Sequence, residues 1–332
     1  MSLPKLFILV TVLLFGSITI VGVLKKNKDS QQGEAYTTAP YELEIEMEVD
    51  ETAAVAVVES NEPEEEFSAE EVIDADHLPD ADRISELYNV YEPKLPIVET
   101  LTYKSKVDWQ PGRSAWISDY ARHYETSRHF IARSLNGKPD YLKQNVSPGD
   151  RFNVLKKDKN LNFHLVVDIL SNRMWFYYHD LDTNDRVLLR TYQVGLGRVD
   201  KSRASGLLTP LGKYSLGSKI AIYKPKTYSY HNGEKVEMIR IFGTRWIPFE
   251  EELGDNTAPS KGLGIHGLPW RAIEGGDLQE DPDSLGKYES DGCIRLTTDD
   301  VEELFSIIIT KPTVIEIVKG FQNAKLPGVE AR

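Results

Sequence analysis

Two short segments hold the side chains that could do chemistry, Gly264-Ile265-His266-Gly267 and Ser290-Asp291-Gly292-Cys293-Ile294-Arg295. Cys293 is the single cysteine of the chain, which excludes a disulfide framework and any multi-thiolate zinc or iron–sulfur site. A thiol becomes a useful nucleophile when a neighbouring base takes its proton, and histidine is the side chain that titrates nearest neutral pH. Of the seven histidines, His266 is the one in a tight glycine-flanked setting, where small neighbours let a substrate backbone come close. Gly292 permits a sharp turn whose N–H groups can point at a developing oxyanion, and Arg295 supplies a permanent cation for a carboxylate. Ser290 can hydrogen-bond near the site or shape the turn, and Trp270, four residues after His266, can line the substrate groove or serve as packing, while the plainer reading of Cys293 is a small buried hydrophobe.

The elements that must position these residues read as strands. Phe163, Leu165, Val167 and Ile169 alternate, Met174 to Tyr178 follows a Ser171-Asn172-Arg173 turn, and Val187 to Val194 is a third run of strand formers. Shorter strands are expected at Tyr214 to Leu216, Ile220 to Tyr223, Met238 to Phe242 and Val314 to Val318. One helix is expected from about Asp299 to Ile309, where Val301, Leu304, Phe305 and Ile308 recur at helical spacing before Pro312. The expected fold class is mainly β, a sandwich- or barrel-like domain over residues 158–321 with one helix after the cysteine motif.

The chain has 332 residues and a net charge of −13, distributed unevenly. Asp29 to Asp82 carries 19 acidic residues and no Lys or Arg, while residues 83–332 hold 35 bases against 33 acids. The remainder is nearly neutral, so there is no electrostatic case for a nucleic-acid partner. Residues 29–100 are expected to form an acidic, mostly disordered spacer. Leu6 to Leu24 is a run of 19 residues without a charge. At about 1.5 Å per residue it reaches roughly the 30 Å of a bilayer's hydrocarbon, so residues 1–28 are read as an uncleaved membrane anchor. Lys25, Lys26 and Lys28 would by charge favour a cytoplasmic location for the chain beyond them, but long segments translocate largely regardless of flanking charge.

Residues 114–155 carry two helix-like segments, ending at His123-Tyr124 and Asn136-Gly137, then a Pro148-Gly149-Asp150 turn and a strand around Phe152 and Val154. This pattern resembles a LysM module over residues 110–157, a small βααβ domain that binds the sugar backbone of peptidoglycan or chitin. The plainer reading is a helical hairpin packed on the next domain.

The cysteine and histidine segments, preceded by Thr209-Pro210-Leu211-Gly212-Lys213-Tyr214, resemble the YkuD-type L,D-transpeptidase domain. The likeness runs from about residue 161 to 319 and includes the strand near Asp168 and the Tyr192-Gln193-Val194-Gly195-Leu196-Gly197 segment. It implies acyl transfer without cofactor or metal, in cell-wall biogenesis and the maintenance of cell shape. Cys293 would attack the carbonyl between the diaminopimelate-type third residue and the terminal D-Ala of a peptidoglycan stem tetrapeptide, and release D-Ala. His266 would accept the thiol proton, its other ring nitrogen held by the Gly267 carbonyl, while N–H groups near Gly292 and Cys293 stabilise the oxyanion. Arg295 would hold a substrate carboxylate or buttress the loop. The implied partners are peptidoglycan stem peptides and glycan strands, with the catalytic domain outside the cytoplasmic membrane, in the periplasm or cell envelope. An amine acceptor gives a 3–3 cross-link or a tethered envelope protein, and water makes the enzyme an L,D-carboxypeptidase. The non-enzymatic alternative is a wall-binding scaffold. Two features depart from the family's pattern. Twenty-six residues separate His266 from Cys293, an excess placed as an inserted loop within Arg271 to Ser284, and Asp291 stands where many members carry histidine.

Overall fold

The computed structural model describes residues 78–138 and 144–331, so the expected anchor and most of the acidic spacer lie outside the described residues. Among these residues no helix is long and apolar enough to cross a membrane. The described chain opens with α1 (Ser85–Tyr88) and β1 (Val98–Thr102), then α2 (Ile117–His123), α3 (Arg128–Asn136) and β2 (Arg151–Leu155). β1 and β2 pair antiparallel from Val98 opposite Leu155 to Thr102 opposite Arg151, so the two helices are enclosed in a βααβ unit. Its first strand lies upstream of residue 110. The spacer reading also ends earlier than residue 100, because Ile84, Leu87, Leu95 and Ile97 are buried in the core. Burying four apolar side chains in so short a segment offsets its own ordering cost.

The remaining strands are β3 (Leu161–Asp168), β4 (Arg173–Asp180), β5 (Asp185–Gln193), β6 (Leu196–Gly197), β7 (Gly212–Leu216), β8 (Ala221–Ile222), β9 (Tyr228–His231), β10 (Glu234–Glu237), β11 (Arg245–Gly254) and β12 (Gly264–Gly267). They continue with β13 (Trp270–Ala272), β14 (Leu278–Glu280), β15 (Tyr288–Ser290), β16 (Ile294–Leu296), β17 (Thr313–Val318) and β18 (Val329–Glu330), with helices α4 (Ile239–Phe242) and α5 (Thr298–Ile308). The fold is mainly β, with one curled half-barrel sheet in the order β16-β12-β11-β7-β17-β3-β4-β5-β18. Val301, Leu304, Phe305, Ile307 and Ile308 of α5 fill its concave side together with Leu165, Ile247, Ile265, Ile294 and Ile315. The helix starts where Thr297 Oγ1 accepts the Asp300 N–H at 3.1 Å, an N-cap with Asp299 and Asp300 in the first turn, where acids suit the helix dipole.

One expected strand is a helix. Within Met238 to Phe242, Ile239–Phe242 forms α4 with Met238 as N-cap, because Met238, Ile239 and Phe242 are buried and Gly243 closes the turn, a choice that a short apolar run leaves open in sequence.

Candidate active site

Strands β11, β12 and β16 lie side by side, with Ile247 opposite Ile265 and Ile265 opposite Ile294. Those three point into the core, so the residues beside them face the other way. Trp246, His266 and Arg295 form one row on that outer face, and Pro248 pairs with Gly264 in the next row. Cys293, one residue before β16, falls in the same row as Gly264. The parallel pairing of β12 with β16 therefore brings His266 and Cys293 to one face of neighbouring strands, on the diagonal. Parallel neighbours need a crossover of a dozen residues or more, and the long interval between the motifs is that crossover. It carries the β13–β14 hairpin, with Trp270 opposite Glu280.

The sulfur sits against bare backbone. A Cβ on Gly264 would lie 2.6 Å from the Ile247 carbonyl oxygen and 3.0 Å from the Trp246 ring, so the close approach requires glycine. Cys293 is 8 % exposed; its S–H donates to the Gly262 carbonyl at 3.6 Å, and the Gly264 N–H is directed at the sulfur. Burial pushes the thiol up to about 11, against the opposing pull of the Gly264 N–H and the Arg295 charge.

His266 is 3 % exposed, with its ring 6.0 Å from Trp246 and edge-on to Phe242 at 5.3 Å. Nδ1 lies 2.7 Å from the Gly267 carbonyl oxygen, which can only accept, so Nδ1 carries the proton and Nε2 keeps its lone pair. Burial lowers the imidazole to about 3, with the Gly267 carbonyl working against it and the Arg295 and His231 charges adding to it. Burial thus favours the neutral form of both the thiol and the imidazole. A general base in this state takes the proton during attack rather than before it.

A pH dependence results. Burial holds the folded thiol above its ordinary 9.0, at about 11. The thiolate fraction at pH 8 is therefore about 100-fold below that of the unfolded chain. Alkylation of Cys293 by iodoacetamide is expected to be slower by about that factor and to climb tenfold per pH unit to about pH 11. A plateau below pH 8 would show a thiolate already formed. Because the neutral form is favoured in the fold, this group also withdraws stability as pH rises from 9 towards 11.

The turn ahead of the sulfur is held by hydroxyls. Ser290 Oγ donates to the Cys293 carbonyl at 2.6 Å and accepts the Gly292 N–H at 3.1 Å, so Ser290 shapes the turn. Thr209 Oγ1 accepts the Gly197 N–H at 2.7 Å and donates to the Gly292 carbonyl at 3.0 Å. Gly292 has φ +117°, and a Cβ there would lie 2.9 Å from the Leu208 carbonyl oxygen. Its N–H is taken up by Ser290 Oγ. Arg295 is half-buried, anchored through its backbone to Gly195 at 2.9 and 2.8 Å, and its Nε is buried without a hydrogen-bond partner. Trp270 donates from Nε1 to Thr298 Oγ1 at 3.4 Å, at the start of α5. Rings against His266 are those of Trp246 and Phe242, which sequence reasoning did not single out. Their signal was alternation on β11 and the apolar face of α4, legible only once the pairing with β12 is known. Among the described residues no cluster of His, Cys, Asp and Glu could hold a metal ion.

Residues 162–317 match the YkuD family model, the L,D-transpeptidase catalytic domain. Every residue of the site described above lies in that YkuD-matching segment, and the βααβ unit lies before it. The curated Bacillus subtilis (strain 168) protein named "Putative L,D-transpeptidase YqjB" is 29% identical over 167 residues, which is 50% of this chain and 71% of that protein. Among solved structures, Bdellovibrio bacteriovorus Bd1075 is 15% identical with a TM-score of 0.32, over 48% of each chain. The helical cell shape determining protein Pgp2 from Campylobacter jejuni is 15% identical with a TM-score of 0.32, over 52% of this chain and 54% of its own. The chain thus spans about half the length of these two solved structures.

Proposed function

We propose that the protein is a cysteine-dependent L,D-transpeptidase of peptidoglycan. The observation that carries this is the placement of His266 and Cys293 on one face of the paired strands β12 and β16, with the His266 Nε2 lone pair available. Cys293 Sγ attacks the carbonyl between the third residue and the terminal D-Ala of a stem tetrapeptide as Nε2 takes the thiol proton. The C–N bond breaks, the proton passes from Nε2 to the leaving amine, D-Ala departs and a thioester remains on Cys293. An acceptor amine then gives its proton to Nε2, forms the new amide and restores the thiol. With the Gly292 N–H engaged by Ser290, the Cys293 N–H is the donor assigned to the oxyanion. Arg295, with its unpaired Nε, takes a substrate carboxylate.

Its place is the cell envelope, with the Leu6–Leu24 run as a membrane anchor and the βααβ unit as a LysM-like binder of glycan strands. Protease digestion of whole spheroplasts should remove the catalytic domain, and its survival would put it in the cytoplasm. The deciding experiment for the activity incubates the full chain with disaccharide-tetrapeptides and reads products by mass spectrometry. Dimers with loss of D-Ala are expected; tripeptides without dimers would make it a carboxypeptidase, and unchanged substrate would leave only a scaffold.

A further inference from the structure

We propose that Arg198 is a specificity-determining residue that binds a free carboxylate of the acyl-donor peptide, and that Asp291 occupies its guanidinium until such a peptide displaces it. This rests on the reading that the site takes an anionic peptide.

Arg198 follows β6, which runs parallel to β15, the strand leading to the cysteine turn. Its N–H donates to the Ser290 carbonyl at 2.9 Å and its carbonyl accepts the Leu208 N–H at 2.8 Å. Ser290 in turn holds the Cys293 carbonyl, so the backbone of Arg198 is pinned to the turn that presents the sulfur. The side chain is free to respond. Its Nη2 pairs with Asp291 Oδ1, and the two side chains are 62% and 79% exposed.

An ion pair this exposed adds little to stability. The turn is held instead by the Ser290 and Thr209 hydroxyls and the Gly292 conformation, so the pair is not needed to build it. Asp291 reaches Arg198 through one nitrogen, whereas a peptide carboxylate can lie along the guanidinium fork with two parallel hydrogen bonds. Exchange of one carboxylate for another at this position costs little and improves the geometry. Among the other cations, Arg203 pairs with Asp200, Arg271 with Asp281 and Lys287 with Glu289, Arg295 stands half-buried beyond Cys293 on β16, and Lys261 is exposed beside Gly262; Arg198 is the one whose backbone is bonded to Ser290 of the cysteine turn. The Asp291 and Arg295 charges both act on the Cys293 thiol, so a reagent arriving at the sulfur senses this mouth.

Because Cys293 is the only thiol in the chain, its alkylation reads the site without any assumption about the natural substrate. Iodoacetate carries a carboxylate, and iodoacetamide is its neutral near-isostere; in both, sulfur displaces iodide. The full-length protein is alkylated at pH 9 and low ionic strength, and the iodoacetate-to-iodoacetamide rate ratio is compared among variants. Asp291→Asn should raise the ratio and Arg198→Gln should lower it, each by about threefold to fivefold. The double variant should fall to the Arg198→Gln value, because freeing a guanidinium matters only where one exists. Logarithms of the two single effects that simply add would reduce the pair to a background field and overturn the proposal, as would a ratio unmoved by Arg198→Gln. With tetrapeptide substrate, Arg198→Gln should raise KM and leave kcat, and amidating the peptide carboxylates should abolish the difference. A wild-type protein that releases no D-Ala would defeat the proposed activity, while the alkylation ratio would still decide the role of Arg198.

Discussion

Cys293→Ala should reduce D-Ala release from stem tetrapeptides by at least about a thousandfold while the protein stays folded. The thiol lies on the outer face of the sheet rather than among the side chains of the α5 core, and its S–H bond to Gly262 is long. Replacing Sγ by hydrogen removes one weakly bonded atom and leaves the Ser290 and Thr209 bonds in place. The expected stability loss is about 1 kcal/mol, read as a small shift in the denaturation midpoint. The chemical loss is far larger, because without sulfur no thioester forms and His266 has no proton to take. His266→Gln is the companion variant. It keeps a neutral polar side chain beside the Gly267 carbonyl but lacks the Nε2 base, and should also lose turnover by at least about a hundredfold. D-Ala release at the wild-type rate by Cys293→Ala would end the covalent mechanism. Loss of release together with loss of the folded baseline would mean instead that the cysteine is structural.

The strands that build the long sheet were legible because their apolar residues alternate or run unbroken: β3, β4, β5 and β17 lie where Phe163 to Ile169, Met174 to Tyr178, Val187 to Val194 and Val314 to Val318 placed them. Helix α5 was legible for the same reason at a different period. Pairing was not. That β12 runs parallel to β16, and β6 to β15, depends on crossovers whose course no local pattern encodes. This is why nearness to His266 in sequence points to Trp270, while a ring 6.0 Å from the imidazole is that of Trp246, twenty residues away. The chemistry-bearing residues could be named from their types and glycine neighbours, but the state of the pair could not. Burial favours the neutral form of both groups, and a sequence expresses burial only through the fold.

The βααβ unit is expected to fold with the catalytic sheet and not apart from it, so that Phe130→Ala in α3 costs about 3–5 kcal/mol of the stability of the whole. Phe130 is fully buried in the same apolar cluster as Ile265, Ile294 and Phe305, and its ring lies 5.1 Å from Tyr88. Tyr88 Oη is 2.6 Å from Ser306 Oγ on α5, Ser127 Oγ donates to the Ser306 carbonyl, and the His129 ring meets Phe305 edge-on at 5.3 Å. Helix α5 leaves β16 two residues after the strand ends, so the unit braces the element next to the cysteine motif. Truncation before β3 would strip Ile84, Leu87, Ile97, Phe130 and Leu155 from that core and expose its apolar lining to water. In chemical denaturation monitored both by near-ultraviolet circular dichroism and by D-Ala release, Phe130→Ala should shift one cooperative transition, with the two signals coincident. An early transition that leaves the catalytic signal at its wild-type midpoint would show two independent folding units, and would return the βααβ unit to the status of a separable wall-binding module.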